Sequence, residues 1–330
     1  MRRGMDCELN SEFTHLRQVR SRVLASVFRA LPYLLIMIMP SSLHTTAAQS
    51  RGVRSESLLE SGAAQRLVEI PAANELKIFS YNIRWRSGKE LEQIIEWLKE
   101  RRGSAPAIVG LQEVDRNKLR SGNVNNAKAI AEALGMYYVW AAPEAASAKQ
   151  KDTEEETGVE ILSPYPLTNV TRIMLSNAGP GGRQRVAIAA TTIIDKTSIR
   201  VYSVHSEYSV HSETRLAIAQ KIEQFRAVLK DLDRFPKDMP AIVLGDFNTW
   251  ELPAVEGTRK LFTENGFITA LPDDESTFYR KALMFDVKLK LDWIWLRRLT
   301  PSSYGIDRNL TVSDHFPLWT VAKLSPTAAR

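Results

Sequence analysis

Residues 241–249 read AIVLGDFNT, an uninterrupted apolar run that ends in an acidic and an amide side chain. An apolar run of this length is too short for a helix and is typical of a strand buried on both faces. The polar residues Asp246 and Asn248 fall where such a strand leaves its sheet. The segment therefore predicts the interior of a layered α/β protein with chemistry at one edge of the sheet.

Acidic, amide and imidazole side chains lie at the ends of other short apolar runs in the same way. Asn82 follows LKIFSY, Glu113 follows AIVGLQ, and His205 ends IRVYSVH. Polar groups at strand ends converge at one rim of an α/β sheet, where ligand sites form. The candidate site residues are Asn82, Glu113, His205, Asp246, Asn248, Asp292, Asp314 and His315.

Amphipathic segments alternate with the apolar runs. Residues 89–102, 125–134 and 212–232 carry apolar side chains at helical spacing, so each predicts a helix that covers a sheet. The apolar runs between them predict about nine or more strands, some joined as hairpins. The sequence therefore predicts one α/β domain at 75–324, with mixed sheets packed together and helices outside.

The amino-terminal 48 residues resemble a targeting segment. Arginines come first, the apolar run Leu31–Pro40 follows, and small residues occupy 41–48. This order predicts a cleaved signal peptide and export to a periplasm or the exterior. The alternative is a retained segment that tethers the protein to a membrane, although the run is too short to span a hydrocarbon core of about 30 Å. We interpret 49–74 as a linker and 325–330 as a C-terminal tail.

Charge and cysteine content exclude several chemistries. The formal net charge is +6, but about half of it lies in residues 1–48, where six arginines face three acidic residues. The near-neutral remainder gives only weak support for nucleic-acid binding. The single cysteine, Cys7, precedes the body, which therefore has no disulfide, cysteine nucleophile or thiolate metal site. Neither a G-x-S-x-G elbow nor a P-loop is present.

The donor atoms of the candidate residues indicate the type of chemistry. Carboxylate and amide oxygens without thiols suit a hard divalent cation such as Mg²⁺ or Mn²⁺. Two histidines beside carboxylates suit acid–base catalysis or stabilisation of the charge on a phosphate. An aspartate that orients an imidazole raises its basicity, so Asp292 and His315 form a candidate pair.

At these positions the chain resembles the endonuclease/exonuclease/phosphatase family, the deoxyribonuclease I-like metal-dependent phosphoesterases. The resemblance covers about residues 75–324 and preserves the order and approximate spacing of the family motifs. The matching segments are YNI (81–83), LQEV (111–114), GVEILSPYPL (158–167), VYSVH (201–205), VLGDFNT (243–249), LDWIW (291–295) and SDHFPL (313–318).

The resemblance implies a four-layer sandwich, in which two mixed β-sheets pack face to face with helices on both outer faces. It also implies metal ligation by Glu113 and Asn82, with Asp314 completing the site through water.

By the same resemblance, Asp246 orients or deprotonates the attacking water and Asn248 donates to the phosphate or to that water. His315, oriented by Asp292, is similar to the family histidine at the scissile phosphate, and His205 resembles a second histidine of the deoxyribonuclease and sphingomyelinase branches.

Two positions depart from the family pattern. Pro164 stands where a basic residue is frequent, and Glu160 stands where a small residue is frequent. We expect that Glu160 either supports His205 from a neighbouring strand or has no part in the site.

The resemblance implies a metal-dependent hydrolase of phosphate esters that uses Mg²⁺ or Mn²⁺. A nuclease-like phosphodiesterase is the first hypothesis, with nucleic acid as its substrate and a monomer as its expected state. The alternative is a sphingomyelinase-like or other lipid or small-molecule phosphodiesterase or phosphatase, and a binding module without turnover is a remote third hypothesis. A lipid substrate would require an exposed apolar surface at the membrane, for which Phe278–Phe285 (FYRKALMF) is the nearest candidate.

Overall fold

The computed structural model describes residues 58–69, 74–144, 156–176, 184–207, 215–283 and 285–324. The predicted signal peptide at 1–48 and the tail at 325–330 lie outside the described residues. None of the described helices combines the length and the apolar character that crossing a membrane demands.

The described elements are strands of 2–10 residues and four α-helices, with a short 3₁₀ turn at Leu119–Ser121. In chain order they are β1 (Leu59–Ala63), β2 (Glu75–Asn82), α1 (Gly88–Arg102), β3 (Ala107–Arg116), α2 (Asn126–Leu134), β4 (Tyr137–Ala141), β5 (Glu156–Ser163), β6 (Thr168–Leu175), β7 (Arg185–Ile194), β8 (Thr197–His205), α3 (Arg215–Leu232), β9 (Ala241–Asp246), α4 (Leu252–Glu264), β10 (Phe267–Ile268), β11 (Phe278–Ala282), β12 (Phe285–Leu289), β13 (Asp292–Arg297), β14 (Thr300–Ile306) and β15 (Leu318–Lys323).

The strands form two large sheets and one separate hairpin. The first sheet has the order β1-β4-β5-β3-β2-β15-β14, and the second has the order β10-β13-β9-β8-β7-β6. Each is mixed, because β2 pairs with β3 and β8 with β9 in parallel while their other pairings are antiparallel. Within the described chain, strands β11 and β12 form a two-stranded sheet of their own.

Three apolar clusters lie between successive layers and hold them together. One lies between the sheets and contains Ile108 and Ile161 of the first sheet with Leu244 of the second. A second cluster joins the outer face of the first sheet to α1 and α2, and a third joins the outer face of the second sheet to α3 and α4. The order of layers is therefore helix, sheet, sheet, helix, which confirms the predicted four-layer sandwich.

The predicted elements agree with the structure except where tertiary pairing replaces local pattern. The predicted linker at 49–74 is wrong at Leu59–Ala63, which forms β1 and pairs with β4 at the edge of the first sheet. Its sequence LESGA has no alternating apolar pattern. An edge strand forms without one because backbone pairing stabilises it more than burial does. The other elements that escaped sequence prediction are helix α4 and strands β4, β6, β10, β11, β12 and β14.

Candidate active site

Three adjacent strands of the second sheet place their polar ends side by side. In the register, Asp246 at the end of β9 faces His205 of β8 on one side and Asp292 of β13 on the other. Gly245 permits this arrangement, since its φ is +140° and a Cβ there would lie 2.0 Å from the Val204 carbonyl oxygen. The substitution-intolerant glycine thus brings the β8 and β9 backbones together directly before the site.

The first sheet contributes Asn82 and Glu113. Glu113 occupies a bulge of β3 between Gln112 and Val114, where its φ is +57°. Such a bulge turns one side chain away from the normal alternation of a strand. The Asn82 side-chain amide donates to Glu113 Oε1 at 3.1 Å and to Asp246 Oδ2 at 2.9 Å. Asn82 therefore links the carboxylates of the two sheets.

His315 enters from the segment before β15 and is held by Asp292. Its Nδ1 lies 2.8 Å from Asp292 Oδ2, and its Nε2 lies 3.7 Å from Asp246 Oδ2. Thr277 donates its hydroxyl to the same Asp292 oxygen at 2.8 Å. The edge of the Phe278 ring contacts the imidazole with a centroid separation of 5.1 Å. These contacts fix the plane of the ring and aim Nε2 at Asp246.

His205 lies on the other side of Asp246. Its Nε2 is 3.6 Å from Asp246 Oδ2 and 3.9 Å from Glu113 Oε1. Both histidines thus present Nε2 to the same carboxylate oxygen, His205 from the end of β8 and His315 from the segment before β15. The convergence provides two imidazoles within reach of one bound group.

The loop after β9 is locked around Asn248. This residue has a φ of +48°, and its backbone N–H donates to Asp246 Oδ1 at 2.9 Å. Its side-chain amide donates to the Ser206 carbonyl at 3.1 Å, while the buried Lys221 ammonium of α3 donates to the Asn248 carbonyl. A non-glycine residue with positive φ persists where its surroundings over-determine it, and such positions cluster at functional sites.

Asp314 has a different environment. Its carboxylate pairs with the Arg84 guanidinium at 3.1 Å and is 14% exposed. Arg84 and Trp85 both have positive φ, so the chain turns sharply after β2 and directs Arg84 to Asp314. The structure therefore brings seven of the eight predicted residues into one linked cluster and places Asp314 at its margin, in an ion pair.

The surroundings of the two histidines shift their pKa values in opposite directions. Burial lowers the pKa of His205 well below its usual value, and the positive charges of Arg185 and His315 add to this. Burial alone would lower the pKa of His315 too, but the charges of Asp292 and Asp246 and the hydrogen bond that His315 donates to Asp292 raise it. Burial also raises the pKa of Asp246 despite the opposing charge of His315. At neutral pH the site therefore pairs a neutral His205 with a protonated His315.

The donor set fits a hard divalent cation. Within the described residues, Asp246, Asp292 and His315 each offer a ligand atom within 4.8 Å of the others. Asp292 Oδ1 is buried and has no hydrogen-bond partner, so one acceptor remains for a ligand. A protonated His315 repels a cation. Glu113 and Asp246 lie on the other side of the cluster, where both carboxylates accept hydrogen bonds from the Asn82 amide. Oxygen donors without thiols are the ligands that Mg²⁺ and Mn²⁺ prefer.

Sequence reasoning missed several residues that support this cluster. Thr277, Lys221 and Arg84 act through side-chain contacts that only the tertiary structure creates. The expectation that Glu160 supports His205 is wrong. Glu160 shares its face of β5 with Leu162, in the cluster beneath α1 and α2, whereas His205 lies in the other sheet.

Comparison with known proteins identifies a common fold. The sequence model of the endonuclease/exonuclease/phosphatase family matches residues 79–315. An endonuclease/exonuclease/phosphatase from Beutenbergia cavernae superposes with a TM-score of 0.61 at 17% identity, covering 78% of this chain and 74% of that one. The human Nocturnin catalytic domain with bound sulfate gives 0.57 at 18% identity, covering 76% and 94%.

A mannosyl-6-phosphatase from Bacteroides thetaiotaomicron has a TM-score of 0.54 at 18% identity and covers 74% of this chain and 98% of its own. No curated protein sequence matches the chain. The similarities to solved structures lie below 25% identity and therefore concern the fold.

Proposed function

Because the chain belongs to the endonuclease/exonuclease/phosphatase family, whose members are phosphoester hydrolases, we propose that it is a metal-dependent phosphodiesterase that uses an activated water. The observation that carries the proposal is the arrangement around Asp246, which meets a neutral imidazole on one side and a protonated imidazole on the other. A phosphodiester needs a base for its water and a cation for its developing negative charge, and this site supplies both.

His315 is the cationic partner in this mechanism. Its Nδ1–H donates to Asp292, which leaves the Nε2–H directed into the cluster towards a phosphoryl or leaving oxygen. Thr277 holds Asp292 in place during this interaction. The imidazolium stabilises negative charge as the pentacovalent transition state forms and donates its proton to the leaving oxygen.

Asp246 and His205 are the proton acceptors for the attacking water. A carboxylate whose pKa is raised by burial is a stronger base than an exposed one, and Asn82 and Asn248 hold both of its oxygens in fixed directions. His205 remains neutral beside it and so keeps a free lone pair. The Asn248 side chain lies next to this carboxylate and is suited to orient the water or the phosphate.

Glu113 would hold the divalent cation, with Asn82 beside it and Asp314 at the margin. When bound, the cation neutralises non-bridging phosphate oxygens and lowers the pKa of a water. Asn82 presents its amide hydrogens to both carboxylates in this structure and accepts the Arg84 N–H on its oxygen. It therefore fixes the Glu113 and Asp246 carboxylates relative to each other.

We take a nucleic acid or nucleotide phosphodiester as the first substrate class. A lipid phosphodiester is the second candidate, and a specific observation favours it. Strands β11 and β12 project apolar side chains next to the site, as the next subsection describes. The family fold does not choose between these classes.

A panel assay on the full chain tests the proposal. Bis-p-nitrophenyl phosphate, plasmid DNA, RNA, p-nitrophenyl phosphate and sphingomyelin would be offered with EDTA, with Mg²⁺ and with Mn²⁺. We expect diester turnover that EDTA abolishes, that added Mg²⁺ or Mn²⁺ restores, and that His315→Ala lowers by at least about 10³-fold.

Ile193→Thr serves as the control because Ile193 is exposed at the end of β7 remote from His205, and its activity should equal that of the parent. Turnover that survives both chelation and the His315 substitution would contradict the proposed chemistry.

A further inference from the structure

The β11–β12 hairpin presents large apolar side chains to solvent. It lies outside both sheets, and the register Ala282↔Phe285 leaves a two-residue connection. Leu283 in this connection is 81% exposed and Phe285 beside it is 51% exposed, while Tyr279, nearer the other end of the hairpin, is 36% exposed. Scattered single apolar residues are normal on a surface, whereas two adjacent large ones at a hairpin tip indicate a contact site.

The connection violates the residue preferences of tight turns. Leu283 has a φ of +54°. Two-residue hairpin loops favour asparagine, aspartate or glycine at such positions, since these tolerate positive φ. A leucine there carries a conformational cost and exposes its side chain to water as well. Both costs would be offset if another molecule buried the leucine side chain.

Basic side chains surround the apolar tip. Lys281 and Lys288 are exposed on one face of the hairpin, and Arg280 is half-exposed on the other. The one acidic residue of the two strands, Asp286, accepts a hydrogen bond from the Tyr279 hydroxyl at 2.9 Å. The hairpin thus combines an apolar tip with positively charged strands behind it, and this combination complements an anionic bilayer surface.

The base of the hairpin is continuous with the candidate active site. Phe278 forms a β-bridge with His315, and the Tyr279 N–H donates to the Asp314 carbonyl at 2.8 Å. Whatever the tip binds is therefore held at a fixed distance from His315.

We propose that the β11–β12 hairpin inserts Leu283 and Phe285 into an anionic membrane surface, with Lys281 and Lys288 contacting the head groups. The hairpin docks the protein with the His315 side of the site towards the lipid. An aliphatic leucine at the very tip favours a bilayer over a nucleic acid, which is bound by stacking on aromatic rings. Docking does not require turnover and so stands apart from the proposed activity.

A polarity-sensitive label tests this site-specifically in the full chain. With Cys7→Ser removing the only native cysteine, Leu283→Cys is labelled with a nitrobenzoxadiazole dye, and Ile193→Cys is labelled as the matched control. Vesicles of phosphatidylcholine with 30% phosphatidylglycerol should raise and blue-shift the emission at 283 and leave that at 193 unchanged. Pure phosphatidylcholine or 0.5 M salt should weaken the response about tenfold or more.

A folding-neutral variant gives the second measurement. Leu283→Asn suits the positive φ and Phe285→Thr suits a strand, so the double variant keeps the hairpin while removing its apolar tip. We expect its binding to anionic vesicles to fall at least about tenfold, with diester turnover in solution unchanged.

An unchanged spectrum at 283 overturns the proposal. Equal responses at 283 and 193, or a response to single-stranded DNA in place of vesicles, do the same. A signal that depends on protein concentration without lipid would assign the tip to contact between copies of the chain.

Discussion

Two buried carboxylates in this protein have opposite surroundings. Asp292 is 1% exposed, and its Oδ2 lies in hydrogen-bonding contact with Thr277 and His315. Glu160 is fully buried on β5, and neither of its side-chain oxygens has a hydrogen-bond partner. Burial raises its pKa well above the usual value, and the charge of Glu60 adds to the effect.

The difference separates a buried acid that has hydrogen-bond partners from one that destabilises the fold. A buried carboxylate remains ionised where partners replace its hydration, and it can then orient and charge a histidine. Without partners it takes up a proton and contributes nothing to a neighbouring group. The same residue chemistry therefore orients an imidazole at one edge of the sandwich and weakens the fold beneath α1 and α2.

The largest effect should follow from loss of the Asp292 charge. Asp292→Asn keeps the shape of the side chain but fails to stabilise an imidazolium at His315, so we expect kcat/KM for a diester to fall about 10³–10⁴-fold. Steady-state kinetics with metal present measures it, and Asp286→Asn on the exposed hairpin is the matched control. A loss below tenfold would separate Asp292 from the chemistry.

Thr277 should have a smaller effect through Asp292. Its hydroxyl donates to Asp292 Oδ2 and accepts the Leu291 and Asp292 backbone N–H groups at 3.0 Å. Thr277→Val removes this link, and we expect kcat to fall about 10–100-fold with KM nearly constant, as for other residues that orient a catalytic ligand. Thr277→Ser retains the hydroxyl and should recover most of the rate. A serine variant as slow as the valine variant would show that the hydroxyl is not the cause.

Replacement of Glu160 should raise stability and leave the rate unchanged. Glu160→Leu removes two unsatisfied oxygens, and we expect the free energy of unfolding to rise by about 1–3 kcal/mol at pH 8. The folded protein holds the Glu160 proton more tightly than the unfolded chain, so the parent loses stability as the pH rises above the unfolded value of about 4.5. The gain in the variant should therefore be smaller at pH 5 than at pH 8.

Urea unfolding at the two pH values measures this gain. Glu60→Gln is the informative control, because Glu60 does have partners in Tyr138, Arg116 and Asn125 and its replacement should destabilise the protein. A Glu160→Leu protein that unfolds more easily than the parent at pH 8 would show that the carboxyl has a partner in solution.

The sequence predicted the layers and most of the site because both depend on local patterns. Apolar runs such as 241–244 identify buried strands, and the polar residues that end them collect at one rim whatever the order of the strands. The motifs GDFN and SDH then selected the family, whose sequence model matches the chain.

The features that escaped prediction arise from tertiary contacts. Glu113 points into the site through a bulge with positive φ, and nothing in LQEV signals that backbone conformation. Asp314 pairs with Arg84 because two successive residues after β2 adopt positive φ. The hairpin connection at Leu283 has no turn signal at all, since its residue type opposes the conformation that it adopts.

Because of the bridge between the sheets, we expect the candidate site to form late in folding. Asn82 donates across the interface to Asp246, and the Ser313 hydroxyl donates to the Asn82 carbonyl over a separation of 231 positions. Contacts this distant along the chain close slowly, because the intervening loop entropy is lost before they form. A polypeptide interrupted before residue 313 lacks His315 and the final support of Asn82, so we expect unfinished or clipped copies to lack the candidate site.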